Sequence, residues 1–124
     1  MKVILDTNFL LIPGTLGVDV FTEIRRIDPS AKLFVVDKTI DELEKIKKEQ
    51  KKYARAADLA LQLMKSQNIA ALKTEKNKNA DQIIAETAAN GYAVATQDKL
   101  LKKQLRDKNI PILILRQKKY VKLE

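Results

Sequence analysis

Residues 3–9 read Val3-Ile4-Leu5-Asp6-Thr7-Asn8-Phe9. Three apolar side chains follow one another with no polar alternation. Strands that show water neither face read this way, and they belong to parallel sheets covered by helices on both sides. The run stops on an aspartate. In open parallel sheets, ligands bind beyond the carboxyl ends of the strands, so Asp6 stands where a functional side chain is expected.

The same continuous apolar signature returns at residues 33–36, 92–96 and 112–115, more weakly at 69–72, and a short strand is expected at 120–123. Between these runs the period changes to that of a helix. Val20, Phe21, Ile24 and Ile27 predict a helix over 18–27, closed by Asp28-Pro29. Ile40, Leu43 and Ile46 predict another from Thr39 onward. Ala57, Ala60, Leu61 and Met64 predict a third over 53–64, folded back on the second around the basic stretch 47–52. Ile83, Ile84, Thr87 and Ala88 mark a helix over 79–90 with Gly91 at its C-terminal cap. Leu101 and Leu105 mark the last, over 98–108. Residues 7–12 read as a turn or short helix that Pro13-Gly14 stops. Strands alternating with helices predict an α/β sandwich on a mostly parallel sheet. A length of 124 residues fits one domain, 1–124.

Composition narrows the chemistry. There is no cysteine and no histidine. Disulfides, thiol nucleophiles, Ser-His-Asp triads and histidine-ligated zinc are therefore excluded. Catalysis must use carboxylates, lysines, hydroxyls or a metal held by oxygen. The net charge is +8, and the excess lies past residue 37: residues 38–78 hold 11 basic and 6 acidic side chains, and residues 79–124 hold 9 and 5. A polyanionic partner is one physical reading of that balance, and a lysine-rich solubilising surface is the other. No run of 18 apolar residues exists, so no membrane span is expected. The opening apolar stretch is broken by Asp6 and Asn8 and lacks a cleavage site, so it does not read as a signal peptide. A cytoplasmic protein with no membrane partner is the expectation.

Four carboxylates fall at element junctions. Asp6 follows the first strand, Glu42 lies early in the helix after the second, Asp81 opens the helix before the strand at 92–96, and Asp98 lies just after that strand. Each also has a local explanation. Asp6 and Asp98 can cap helices. Thr39 and Glu42 have capping-box spacing, and Asn79 and Gln82 can pair likewise, with Asp81 favoured by the helix dipole. Convergence is what would set them apart. Carboxylates about 5 Å apart at an effective dielectric of 20 repel by roughly 3 kcal/mol per pair. Such a cluster requires protonation or a counter-charge. Oxygen-only ligands select hard cations, Mg²⁺ or Mn²⁺, which suit phosphodiester hydrolysis.

These residues resemble the PIN nuclease family over nearly the whole chain. The segment at 3–11, VILDTNFLL, is similar to the family's opening strand and D-[ST]-N signature. DELEKIK at 41–47 resembles the helix that supplies a glutamate, here Glu42. ADQIIAETA at 80–88 resembles the D-x-x-I-A-x-T-A helix, which places Asp81 third. VATQDKLL at 94–101 resembles the T-x-D segment, which places Asp98 fourth. The resemblance implies a three-layer α/β/α fold with a central parallel sheet. It implies metal-dependent endonuclease activity, mostly on RNA, leaving 3′-hydroxyl and 5′-phosphate ends. By it, Asp6, Glu42, Asp81 and Asp98 are catalytic and hold one or two Mg²⁺ or Mn²⁺ ions. Thr7, Asn8 and Thr96 orient carboxylates or the attacking water. The opening and closing segments look most like the branch of ribosomal RNA processing nucleases, whereas the toxin branch of toxin–antitoxin pairs shares the same carboxylates. The implied partners are accordingly RNA, a homodimer mate, and an antitoxin or a ribosome assembly partner. One departure is Asp81-Gln82, where that branch often carries two adjacent aspartates, so a second metal would be held weakly.

In this reading Lys45, Lys48, Lys51, Lys52 and Arg55, with Lys99, Lys102 and Lys103, grip the RNA backbone, contacts that carry affinity and salt dependence but little sequence information. Tyr53 is the best-placed stacking aromatic. A non-catalytic RNA-binding assembly module is the competing expectation; it would need the basic face and not the carboxylates. A haloacid-dehalogenase-like enzyme needs D-x-D-x-T after the first strand, and Asp6-Thr7-Asn8 does not supply it.

Overall fold

The structure is a computed structural model, and it describes residues 1–75 and 77–124. Six strands form one sheet: β1 (Lys2–Leu5), β2 (Lys32–Val36), β3 (Ala70–Leu72), β4 (Ala93–Ala95), β5 (Ile112–Arg116) and β6 (Tyr120–Leu123). Their spatial order is β3-β2-β1-β4-β5-β6. All pairings are parallel except β5 with β6. The α/β reading of the sequence holds.

Alternate residues of each strand face opposite layers. Val3 and Leu5, Leu33 and Val35, Ala93 and Ala95, and Leu113 and Leu115 pack on one side, under α1 (Thr7–Leu10), α2 (Ile12–Leu16), α3 (Val20–Ile27), α4 (Asp37–Glu49) and α5 (Ala54–Ser66). Ile4, Val36, Val94, Ile112 and Ile114 pack on the other, under α6 (Ala80–Ala88) and α7 (Lys99–Asp107). Val3, Ile4 and Leu5 are fully buried, which is why their run shows no polar alternation. Each contributes about 1.5–3 kcal/mol by leaving water. The far edge is tied down by α3: the Arg26 guanidinium donates to the Val121 carbonyl at 2.6 Å, and the Val121 N–H donates to Glu23 Oε1 at 3.0 Å.

Three local expectations are corrected. Pro13-Gly14 does not stop a helix but lies inside α2, with Pro13 in the first turn, where its missing N–H costs nothing. The helix instead ends at Gly17, in the left-handed region at φ 70°. Helix α4 begins at Asp37, not Thr39, so Thr39 and Glu42 form no capping box; among the described residues the buried Thr39 hydroxyl has no hydrogen-bond partner. The cap of α6 is Ala89, and Gly91 lies beyond it at φ 96°.

Gly14 is there for contact. A Cβ on it would lie 2.5 Å from the Ala56 Cα and 2.6 Å from the Ala56 Cβ, so α2 touches α5 through backbone. Gly14→Ala is expected to lose about 1–3 kcal/mol of stability by forcing these helices apart. Urea unfolding would read this as a lower midpoint at unchanged slope.

Candidate active site

Sheet order reverses beside β1, which pairs with β2 on one side and β4 on the other. The chain leaves β1 and β4 at the same level, since Leu5 is in register with Ala95. A crevice therefore opens at their carboxyl ends. Asp6, Thr7, Asn8, Glu42, Lys45, Asn79, Asp81 and Asp98 line this cleft, of about 380 Å³. All four sequence-selected carboxylates face it, although they come from four separate elements.

Asp6 is 4% exposed and caps α1: its Oδ1 accepts the Phe9 N–H at 2.7 Å. Its Oδ2 accepts from the Thr96 hydroxyl. Thr96 is fully buried, and its oxygen also accepts the Asp98 N–H at 3.1 Å. One hydroxyl thus joins the two strand-end acids. Asp98 in turn caps α7, its Oδ1 accepting the Leu101 N–H at 2.7 Å. Thr7 Oγ1 donates to Glu42 Oε1 at 2.5 Å. Asn79 and Gln82 complete the capping box of α6, with the Gln82 N–H on Asn79 Oδ1 at 2.9 Å. That box meets the capping need of the helix, so Asp81 forms no part of the cap and lines the cleft.

Capping and convergence therefore coexist. Asp6 and Asp98 each use one oxygen to cap a helix and still line the cleft. The electrostatics register the crowding. Burial pushes the Asp6 carboxyl up to about 6, held back by the Thr96 hydroxyl and the Phe9 N–H and raised further by the Asp81 and Asp98 charges. Asp81 is also raised, first by burial and then by Asp98 and Glu42. The acids act on one another, yet among the described residues no group of three stands close enough to cage an ion as the side chains lie.

The basic residues divide. Lys45 lines the cleft one helical turn after Glu42. Lys48, Lys51, Lys52, Arg55, Lys99 and Lys103 are exposed outside the cleft lining, and Lys102 is half-buried. Tyr53 is half-buried, and the Lys52 ammonium stands 5.5 Å from its ring centroid, so a cation already occupies the neighbourhood of that ring.

Sequence reasoning passed over Gln97. Its side-chain Nε2 donates to the Leu115 carbonyl at 3.0 Å, and its Oε1 accepts the Leu115 N–H at 2.7 Å. The amide imitates one more peptide of β4 and clamps the 96–98 segment to β5. A lone glutamine between a strand end and a helix cap gives no periodic or compositional signal for that role.

A family model described as a PIN like domain matches residues 3–118. Ribonuclease VapC4 of Methanocaldococcus jannaschii is 30% identical over 132 aligned residues, covering 98% of this chain and 95% of the relative. A solved structure of the PIN domain endonuclease Utp24 matches with a TM-score of 0.82 at 28% identity, covering 99% of this chain and 90% of that one. Among the described residues no helix is long and apolar enough to cross a membrane.

Proposed function

The chain belongs to the PIN-like domain family, and from that premise we infer that it is a Mg²⁺- or Mn²⁺-dependent endoribonuclease with Asp6, Glu42, Asp81 and Asp98 as its metal ligands. The observation that carries this reading is the meeting of four carboxylates from four elements in one cleft at the sheet's switch point. The names ribonuclease and endonuclease borne by similar proteins support RNA cleaved within the strand.

The donor set fits a hard cation in kind: every candidate ligand is a carboxylate, and the buried Asp6 is under pressure from its acidic neighbours. When bound, the cation neutralises the acids, polarises the phosphoryl group and makes water a better nucleophile. The chain's own groups set the stage. Thr96 fixes the Asp6 carboxylate and the backbone of Asp98, and Thr7 fixes Glu42. Lys45 meets the incoming phosphate at the cleft wall, and the exposed Asn8 amide offers donors at the same lip.

Titrating Mn²⁺ calorimetrically into wild type and Asp6→Asn/Asp98→Asn, then adding end-labelled single-stranded RNA, tests the reading. Wild type should bind Mn²⁺ and cleave internally, and the double variant should do neither. Metal-independent RNA binding with no cleavage by wild type would favour the assembly-module reading and reduce the carboxylates to helix caps.

A further inference from the structure

Ion pairs remove several cations from consideration. Lys47 pairs with Asp58 at 3.0 Å, Lys78 with Glu86 at 2.7 Å, Arg26 with Glu23 at 3.2 Å, and Arg106 with Glu124. Arg116, Lys118 and Lys119 form no ion pair among the described residues and are exposed. They sit on the turn between β5 and β6, closed by the Lys119 N–H on the Arg116 carbonyl at 3.0 Å.

The sheet register places this turn. Ala95 is level with both Leu5 and Leu113, so Asp6, Thr96 and Ile114 share the next level. Arg116 and the turn lie two to three residues further along the same direction, roughly 7–10 Å past the cleft floor at about 3.3 Å per residue. They stand two strand spacings from β1, roughly 10 Å to the side. The hairpin thus stands past the carboxyl ends of the strands, outside the cleft lining and on the side of β1 away from β2. It is also fastened there, because Leu115 is the residue that the Gln97 amide clamps to the 96–98 segment.

The turn's backbone is a second, independent observation. Gln117 and Lys118 both have positive φ, 54° and 53°. A tight hairpin turn with two such residues favours Asn-Gly. Here two long side chains stand in a backbone region that L-residues disfavour, which is the pattern of a position kept for its side chains.

We propose that the β5–β6 turn is a second phosphate-binding subsite, in which Arg116, Lys118 and Lys119 hold the backbone of a single-stranded RNA some nucleotides from the cut. This rests on the endoribonuclease reading and deepens it. Lys45 and its neighbours on α4 form one bank of the path and the hairpin forms the other, so the substrate must be long enough to span both. At 3.4 Å per stacked nucleotide, the lateral and axial offsets together correspond to roughly four nucleotides on one side of the cleft.

The test compares wild type, Lys118→Glu/Lys119→Glu and Gln117→Asn/Lys118→Gly on 4-nucleotide and 12-nucleotide single-stranded RNAs. Binding is measured across a salt series without metal, and cleavage with Mn²⁺. Wild type should prefer the 12-mer by about tenfold or more. In the charge-reversal variant this preference should shrink to about twofold, with a salt slope shallower by roughly 1–1.5, the value for two lost phosphate contacts. Gln117→Asn/Lys118→Gly should melt higher than wild type, from the better turn sequence, and still lose much of the length preference. Wild type cleaving RNA with the preference unchanged in both variants overturns the subsite alone. Wild type neither binding nor cleaving either RNA overturns both the subsite and the endoribonuclease reading.

Discussion

Asp6→Asn is expected to lower Mn²⁺-dependent RNA cleavage by about 10³-fold or more and, in the same protein, to raise the stability of the metal-free fold near pH 7.5. The loss of rate follows from removing the most buried of the proposed ligands; 10³ corresponds to about 4 kcal/mol of transition-state stabilisation. The gain in stability follows from the pKa. The Asp6 carboxyl stands at about 6 in the folded protein, against about 3.9 in an unfolded chain. Between those values the native state holds the proton that the unfolded state has released. Stability is therefore full below pH 4 and falls as pH rises through about 6, by about 3 kcal/mol for a shift of two units. Asparagine carries no charge to desolvate and its Oδ1 can still accept the Phe9 N–H. A net gain of about 1–3 kcal/mol is expected at pH 7.5, vanishing below pH 4. Thermal melts in EDTA across pH 4–8 measure it. Added Mn²⁺ should raise the melting temperature of wild type and leave the variant unmoved. Equal melting temperatures at every pH would mean that Asp6 is not under strain.

Thr96→Val should be the most damaging substitution of a side chain that is not a proposed ligand. The fully buried hydroxyl donates to Asp6 and accepts from the Asp98 N–H. Valine keeps the shape and leaves two polar groups unpaired, at about 1–3 kcal/mol each. A stability loss of about 2–4 kcal/mol and a fall of 10- to 100-fold in metal affinity or rate are expected, the range for residues that orient ligands. Because the Thr96 hydroxyl lowers the Asp6 pKa, its removal should also shift the onset of Mn²⁺ binding to higher pH. Thr96→Ser, which retains the hydroxyl, should restore that profile and most of the rate. A valine variant with a wild-type pH profile would show that Thr96 only fills space.

Much of this was legible in the residue order. Val3-Ile4-Leu5 announced a strand buried on both faces because no side chain there meets water. Asp6 and Asp98 could be placed at strand ends by position alone, and parallel pairing then brings those ends side by side. The third acid needed tertiary packing: Asp81 reaches the cleft across the sheet, and only the closed Asn79–Gln82 box shows that the helix does not need it as a cap. Gln82, beside Asp81, is occupied in that box. What local reading missed depends on distant partners. Pro13-Gly14 looks like a stop until Ala56 is seen against it. Gln97 has no visible role until Leu115 is beside it. The hairpin turn carries no Asn-Gly signal because long side chains stand where the turn would prefer none.

The central position of β1 has a consequence for when the protein becomes competent. Asp6 leaves the ribosome 90 residues before the hydroxyl that holds it. At about 5–20 residues per second, that is an interval of roughly 5–20 s. Through that interval β1 has no β4 to pair with and Asp6 no dry pocket to sit in. Leu115, which steadies the neighbouring acid through Gln97, is made later still. A nascent chain of this design carries Asp6 through that interval with nothing to aim it, and its carboxylates come together only once β4 and β5 have been made.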